Sequence, residues 1–332
     1  YRNLQFRFNE SNGPGYTELI LGLPGETYET WMKGIEELLQ AGIKNQIFVY
    51  QCEVYPNTEL SDPEYMKKFG IITNRIRLTE IHGAIRQEGL ITEYQDIIVT
   101  TNSMSLEDWR KMCLIAWMTM VLHSLKLSFF LLTYLVDRFR IPFVDFISYL
   151  SEGRFPAGSG KIIREELRLF QKQCDRLLEG YGRGHELAEF GGIYWDEEEA
   201  SFLRISKKLD EFYLELFDLT KRFLEEKNIS YNEWELQEAI QYQKLRIPTL
   251  LPPHSREYHF NHNFPEYFET RLIDNAQPLI YAPQVLTLHP KDYRGEPAHY
   301  ARETILWGRK SGTMLTKVSW RNQISEEAVA VG

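Results

Sequence analysis

The residues best placed to do chemistry stand at turns that follow apolar runs. Thr17 to Thr27 reads TELILGLPGET. Leu19, Ile20 and Leu21 make a short apolar run of the kind buried on both faces of a parallel sheet. Gly22 and Gly25 then allow a tight turn and a close approach of backbone to a bound group, with Pro24 limiting the turn's freedom. Thr27 suits the N-cap of the helix that follows, and the backbone N–H groups at such a helix start can face a ligand. An ordinary strand-to-helix junction has the same composition, so the residue types alone leave both readings open. Gln46 to Val54 reads as the next strand, followed by a Pro56-Asn57-Thr58 turn. Alternation puts Gln51 and Glu53 on one face of it, where a buried carboxylate needs a partner.

Other polar clusters point to less. His254, His259, His262 and Glu266 look like metal ligands, but on a strand His259 and His262 face opposite ways and no zinc-type spacing is present, so they read as surface histidines. Glu80, His82, Glu88 and Glu93 form an acidic cluster that either touches substrate or lies on a solvated helix face. Gly158-Ser159-Gly160-Lys161 fails as a phosphate loop, with Phe155 where a glycine is required and Ile162 where Ser or Thr is required. Cys52, Cys113 and Cys174 stand far apart, which suggests neither a disulfide framework nor a metal knuckle, and a reducing cytoplasm is the expected compartment. No Ser/His/Asp or Cys/His arrangement is apparent.

ELILGLPGET, the helix after it and IFVYQCEVYPNTEL together resemble the last two βα units of the radical S-adenosylmethionine (SAM) barrel. More narrowly, they are similar to the subgroup that carries a cobalamin-binding domain in front of that barrel. The resemblance is strong from about Tyr16 to Leu60 and weaker out to about Tyr149. It implies a SAM pocket at the ends of the last barrel strands, walled by Gly22, Leu23, Pro24, Gly25 and Glu26 after one strand and by Tyr50, Gln51 and Glu53 at the end of the next. Glu26, in the first turn of a helix, could instead simply complement the helix dipole. The implied chemistry is reductive cleavage of SAM to a radical that abstracts hydrogen from substrate, followed by methyl transfer from methylcobalamin or by other radical C–H chemistry. The family holds a [4Fe–4S] cluster through CxxxCxxC, a spacing that this chain lacks. The resemblance therefore implies that cluster loop and cobalamin domain lie upstream of Tyr1, that the segment alone is inactive, and that a reductant protein and a small-molecule or natural-product substrate are the further partners. A rival from another class is a non-catalytic barrel remnant that serves as a binding or scaffolding module.

The elements that must position these groups follow from periodicity. The 332 residues can bury a large core in two or more units, and the net charge of −9 with a pI near 5.5 argues against a nucleic-acid partner. Nothing at the start resembles a signal peptide. Trp31, Ile35, Leu38 and Leu39 predict a helix from about Tyr28 to Ala41, ended by Gly42, and hence a βαβ unit with parallel strands. A helix near Pro63 to Phe69 and a strand at Tyr94 to Thr100 follow, the strand being either a barrel edge or the start of an appended unit. Ser105 caps a helix with Asp108 in its first turn. Met112 to Val136 is apolar enough to raise a membrane span, but His123, Ser124 and Lys126 split it, and two buried helices are expected. Beyond a boundary loop at Ser151 to Gly160, helices are expected over Lys161 to Leu178, Glu199 to Lys227 and Tyr231 to Lys244, the last with Asn232 as cap. Phe202, Leu209, Tyr213, Leu216 and Phe223 form the core stripe of the second. Strands are expected at Tyr258 to Phe268, Val285 to Leu288 and Met314 to Val318, and a helix at His299 to Trp307. The expected architecture is α/β: over 1–102 what the resemblance implies to be the end of a radical SAM partial TIM barrel, then a helical domain over 103–250 and a small α+β cap over 251–332.

Overall fold

In the computed structural model the described residues are 15–78, 91–272 and 277–323, with positions 7, 84 and 89. Strand β1 (Tyr16–Leu21) pairs in parallel with β2 (Gln46–Gln51), Tyr16 opposite Gln46 and Leu21 opposite Gln51. The Tyr28–Gln40 helix connects them and buries Trp31, Ile35 and Leu39. Its start is fixed by Thr27, whose hydroxyl accepts the Thr30 N–H while the Thr30 hydroxyl accepts the Thr27 N–H. At its other end Gly42 takes φ 83°, as a C′ glycine should. The βαβ reading thus stands.

A single residue then carries the chain into a second sheet. Cys52 donates its N–H to Leu21 O at 2.8 Å and accepts from Ile98 N at 2.9 Å. β3 (Glu53–Val54) pairs antiparallel with β5 (Tyr94–Thr100), and β5 pairs antiparallel with β4 (Ile72–Arg77). Tyr94–Thr100 is therefore a central strand of an antiparallel sheet. β4, reading ITNRIR, carries no strand signature in the sequence because its two isoleucines are outnumbered by polar groups; pairing with β5, rather than its own pattern, makes it a strand.

The long apolar run folds as two buried helices. The stretch Leu106–Ser124, started by the Ser105–Asp108 capping box, and the Phe129–Phe139 helix are bent by 94°. Between them Met120–Ser124 forms a widened helical turn and Lys126 takes φ 66°. Two polar groups of the break find partners: Ser124 Oγ accepts the Ile47 N–H at 3.0 Å, and Gln243 Nε2 donates to Lys126 O at 2.7 Å. Among the described residues no single helix is long and apolar enough to cross a membrane.

Helices Phe143–Ser151, Lys161–Leu178 and Glu233–Leu245 complete the helical middle, with Asn232 capping the last. The helix expected over Glu199 to Lys227 is two helices, Glu197–Ser206 and Leu209–Glu226, separated where Lys208 leaves helical geometry at φ −140° and ψ 43°. The break leaves the burial of the stripe uninterrupted, so periodicity alone could not show it. A short hairpin, β6 (His185–Glu186) with β7 (Tyr194–Trp195), precedes them.

The last stretch carries an antiparallel sheet in the order β10 (Lys317–Asn322), β9 (Tyr281–His289), β8 (Glu257–His262). The strand expected over Tyr258 to Phe268 ends at His262, and Phe264–Leu272 is a helix. Phe264, Tyr267 and Phe268 are all buried and fall at i, i+3 and i+4, a helical face concealed in apparent alternation. The strand expected at Met314 to Val318 lies a few residues later, and His299 to Trp307 is helical as expected. One apolar core, from Leu21 to Met314, is continuous through all of these stretches.

Candidate functional site

A cavity of about 1040 Å³ runs along β2, with walls from both N-terminal sheets, the helical middle and the C-terminal stretch. Of the residues singled out in the sequence, Tyr50, Gln51 and Glu53 line it. Gly22, Leu23, Pro24, Gly25 and Glu26 are absent from its lining and form the neighbouring corner. The start of this corner lies against the residue that follows β2: a Cβ placed on Gly22 would lie 3.7 Å from Cys52 Cβ and 3.4 Å from Ile98 O. Gly22 (φ 100°) and Gly25 (φ 93°) both sit in the left-handed region, which explains the choice of glycine. Leu23 and Gly25 are exposed. Glu26 is half-buried, its Oε2 has no hydrogen-bond partner, and burial pushes its carboxyl up to about 7.

Each lining group has a distinct setting. Gln51 spends its amide on the Leu106–Thr119 helix, accepting from Trp109 Nε1 at 3.0 Å and donating to Cys113 Sγ at 3.3 Å. Glu53 accepts from the Tyr55 hydroxyl and lies 3.6 Å from Arg183. The Tyr50 ring stacks near Phe48, with centroids 6.4 Å apart and planes at 18°. Its hydroxyl is held above the ordinary tyrosine range by burial first, then by Glu18 and Asp196. Phe48 in turn carries the Arg309 guanidinium 4.4 Å from its centroid.

The far wall was invisible in the sequence. Asp196 to Glu199 is an acidic run at a helix start, ordinarily solvated, yet Glu197, Glu198 and Glu199 are all buried. Arg309, also buried, pairs with Glu198 at 2.8 Å and Glu199 at 2.9 Å, and its Nε donates to Gln46 Oε1 at 2.7 Å. Glu197 accepts the Gly184 N–H at 2.9 Å; burial first, then Asp196, push it up to about 7. The one sequence signal for this wall was the capping box of Asp196 with Glu199, which marks a helix start but not its burial.

The remaining candidates fall elsewhere. Glu80, His82 and Glu88 lie outside the described residues, and Glu93 is exposed. His254 and His259 are exposed, whereas His262 is half-buried with Nδ1 2.7 Å from Glu238, joining β8 to the Glu233–Leu245 helix. Among the described residues no group of three His, Cys, Asp or Glu could hold a metal ion, and all three cysteines are buried and unbridged.

The fold is α/β, with a polar, aromatic-lined cavity beside a parallel strand pair. No family model matches the chain. It is 27% identical over 285 residues to a 2-(S-pantetheinyl)-carbapenam-3-carboxylate methyltransferase of Streptantibioticus cattleyicolor, across 81% of this chain and 41% of that protein. It is 26% identical over 289 residues to the cobalamin-dependent radical SAM methyltransferase TokK of Streptomyces tokunonensis, across 82% of this chain and 41% of that protein. The chain is thus similar to two methyltransferases, one of them a cobalamin-dependent radical SAM enzyme, in agreement with the resemblance seen in the sequence, and it spans 41% of the length of each.

Proposed function

We propose that this chain forms the SAM-facing wall and substrate cover of a cobalamin-dependent radical SAM methyltransferase acting on a small molecule. The observation that carries the reading is the cavity along β2, which gathers Tyr50, Gln51 and Glu53 beside the Gly22–Glu26 corner in a chain related to such enzymes. β1 and β2 are read as the last strands of the barrel, with the helical middle closing its mouth.

The residues present fit an adenosyl group: Phe48 and Tyr50 offer ring faces for a base, and the Glu53 carboxylate offers acceptors for ribose hydroxyls. Bound SAM would supply the adenosyl fragment and the methyl group of the reaction. The chain's own part is to bind and orient. Gln51, fixed by Trp109 and Cys113, sets the end of β2, and the Arg309 knot holds the covering wall against it. The described residues do not fit an iron–sulfur cluster, and no step is derived through one. In this reading the cluster cysteines and the cobalamin domain belong to a preceding segment, and this chain alone is inactive.

Equilibrium dialysis of SAM against the full-length protein tests the site. Tyr50→Ala and Glu53→Gln should each weaken binding about tenfold, about 1.4 kcal/mol, while Glu93→Gln, exposed outside the cavity, should not. Unchanged affinity in both cavity variants would remove the assignment.

A further inference from the structure

We propose that a second cavity binds a small amphipathic anion, an apolar chain or ring carrying one carboxylate. This cavity has a volume of about 490 Å³ and shares no lining residue with the first. Small-molecule sites span roughly 300–1,000 Å³. It lies between the end of the Tyr28–Gln40 helix and the Phe129–Phe139 and Phe264–Leu272 helices.

Its walls decide the body of the ligand. Leu39, Ile43, Phe129, Phe130, Val136 and Phe268 present apolar surface, which gains by covering an apolar chain. The charged lining decides the head. Arg140 and Arg271 face one carboxylate, Asp137, in a chain whose net charge is −9. Asp137 is already engaged: Tyr267 donates to it at 2.5 Å and Arg271 pairs with it. The cavity therefore keeps a positive excess against the sign of the whole molecule, and an anion is the complement. Arg140 stands exposed where the Phe129–Phe139 helix ends in left-handed geometry, so its guanidinium is available at the mouth.

His123 adds a polar contact. It lines the cavity, is 2% exposed, and its Nδ1 has no hydrogen-bond partner, a state that buried polar atoms rarely keep. Burial first, then Lys126, hold the ring well below the ordinary histidine range, so it stays neutral beside the cations.

Calorimetric titration of the full chain with octanoate, octanol and octylamine tests this. Octanoate should saturate a single site about tenfold more tightly than octanol, with octylamine weaker still. Arg140→Gln should remove the octanoate advantage and leave octanol unchanged, and Val136→Trp, which fills the cavity, should abolish both. Equal affinities for octanoate and octanol, an unaltered preference in Arg140→Gln, or no saturable octanoate binding would overturn the proposal. If Val136→Trp fails to fold, Arg140→Gln decides the matter, because an exposed side chain can be changed without repacking the core.

Discussion

Burial raises Glu197 from an ordinary 4.5 to about 7, and the proton it then holds shapes stability over a defined pH range. Between about 4.5 and 7 the folded protein keeps the proton that the unfolded chain has lost. The contribution is fully present below 4.5 and disappears as pH rises through about 7. Glu197→Gln retains an acceptor for the Gly184 N–H and removes the titration. Urea unfolding should show wild-type stability falling from pH 5 to pH 8, relative to the variant, by up to about 3 kcal/mol. Parallel stabilities across that range would show that Glu197 ionises normally. Glu26 follows the same sign with a smaller expected effect, being only half-buried.

At the scale of an element, the Gly22 corner governs how β1 hands over to the helix. Ala there must adopt φ 100° and place its Cβ 3.4 Å from Ile98 O, whereas Gly25, at φ 93°, has open space around it. Gly22→Ala should cost on the order of 1–3 kcal/mol in urea unfolding, and Gly25→Ala less. An equal loss at both positions would mean that only backbone conformation, and no contact with Ile98 or Cys52, matters. The bend between the Leu106–Thr119 and Phe129–Phe139 helices has a comparable logic. His123, Ser124 and Lys126 interrupt the apolar run, and the break is tolerated because Ile47 and Gln243 supply hydrogen-bond partners.

At the scale of the whole molecule, Arg309 joins stretches far apart in the chain. It reaches Gln46 of β2 and both Glu198 and Glu199 of the helical middle, while Gln46 Nε2 donates to Ser124 O at 2.9 Å. Arg309→Met leaves two buried carboxylates without their cation and should destabilise by about 3–5 kcal/mol. The triple variant that adds Glu198→Gln and Glu199→Gln should recover most of that loss, since uncharged amides need no cation. Failure of the triple variant to recover would show that the cost comes from packing around Phe48 rather than from stranded charge.

The sequence by itself determined what depends on residues a few positions apart. The βαβ unit, the caps at Thr27, Ser105 and Asn232, the break in the apolar run and the buried stripe from Phe202 to Phe223 all follow from spacing and local hydrogen bonding. The resemblance to cobalamin-type radical SAM enzymes was also legible, in TELILGLPGET and the strand after it. Only the tertiary structure decided that Tyr94–Thr100 is a central antiparallel strand, that the Glu199 to Lys227 stretch breaks at Lys208, and that an acidic run is buried against Arg309. It alone assembled the two cavities. The physical reason is that strand pairing and the desolvation of charge depend on partners brought from elsewhere in the chain, and Gln46 and Arg309 lie 263 residues apart.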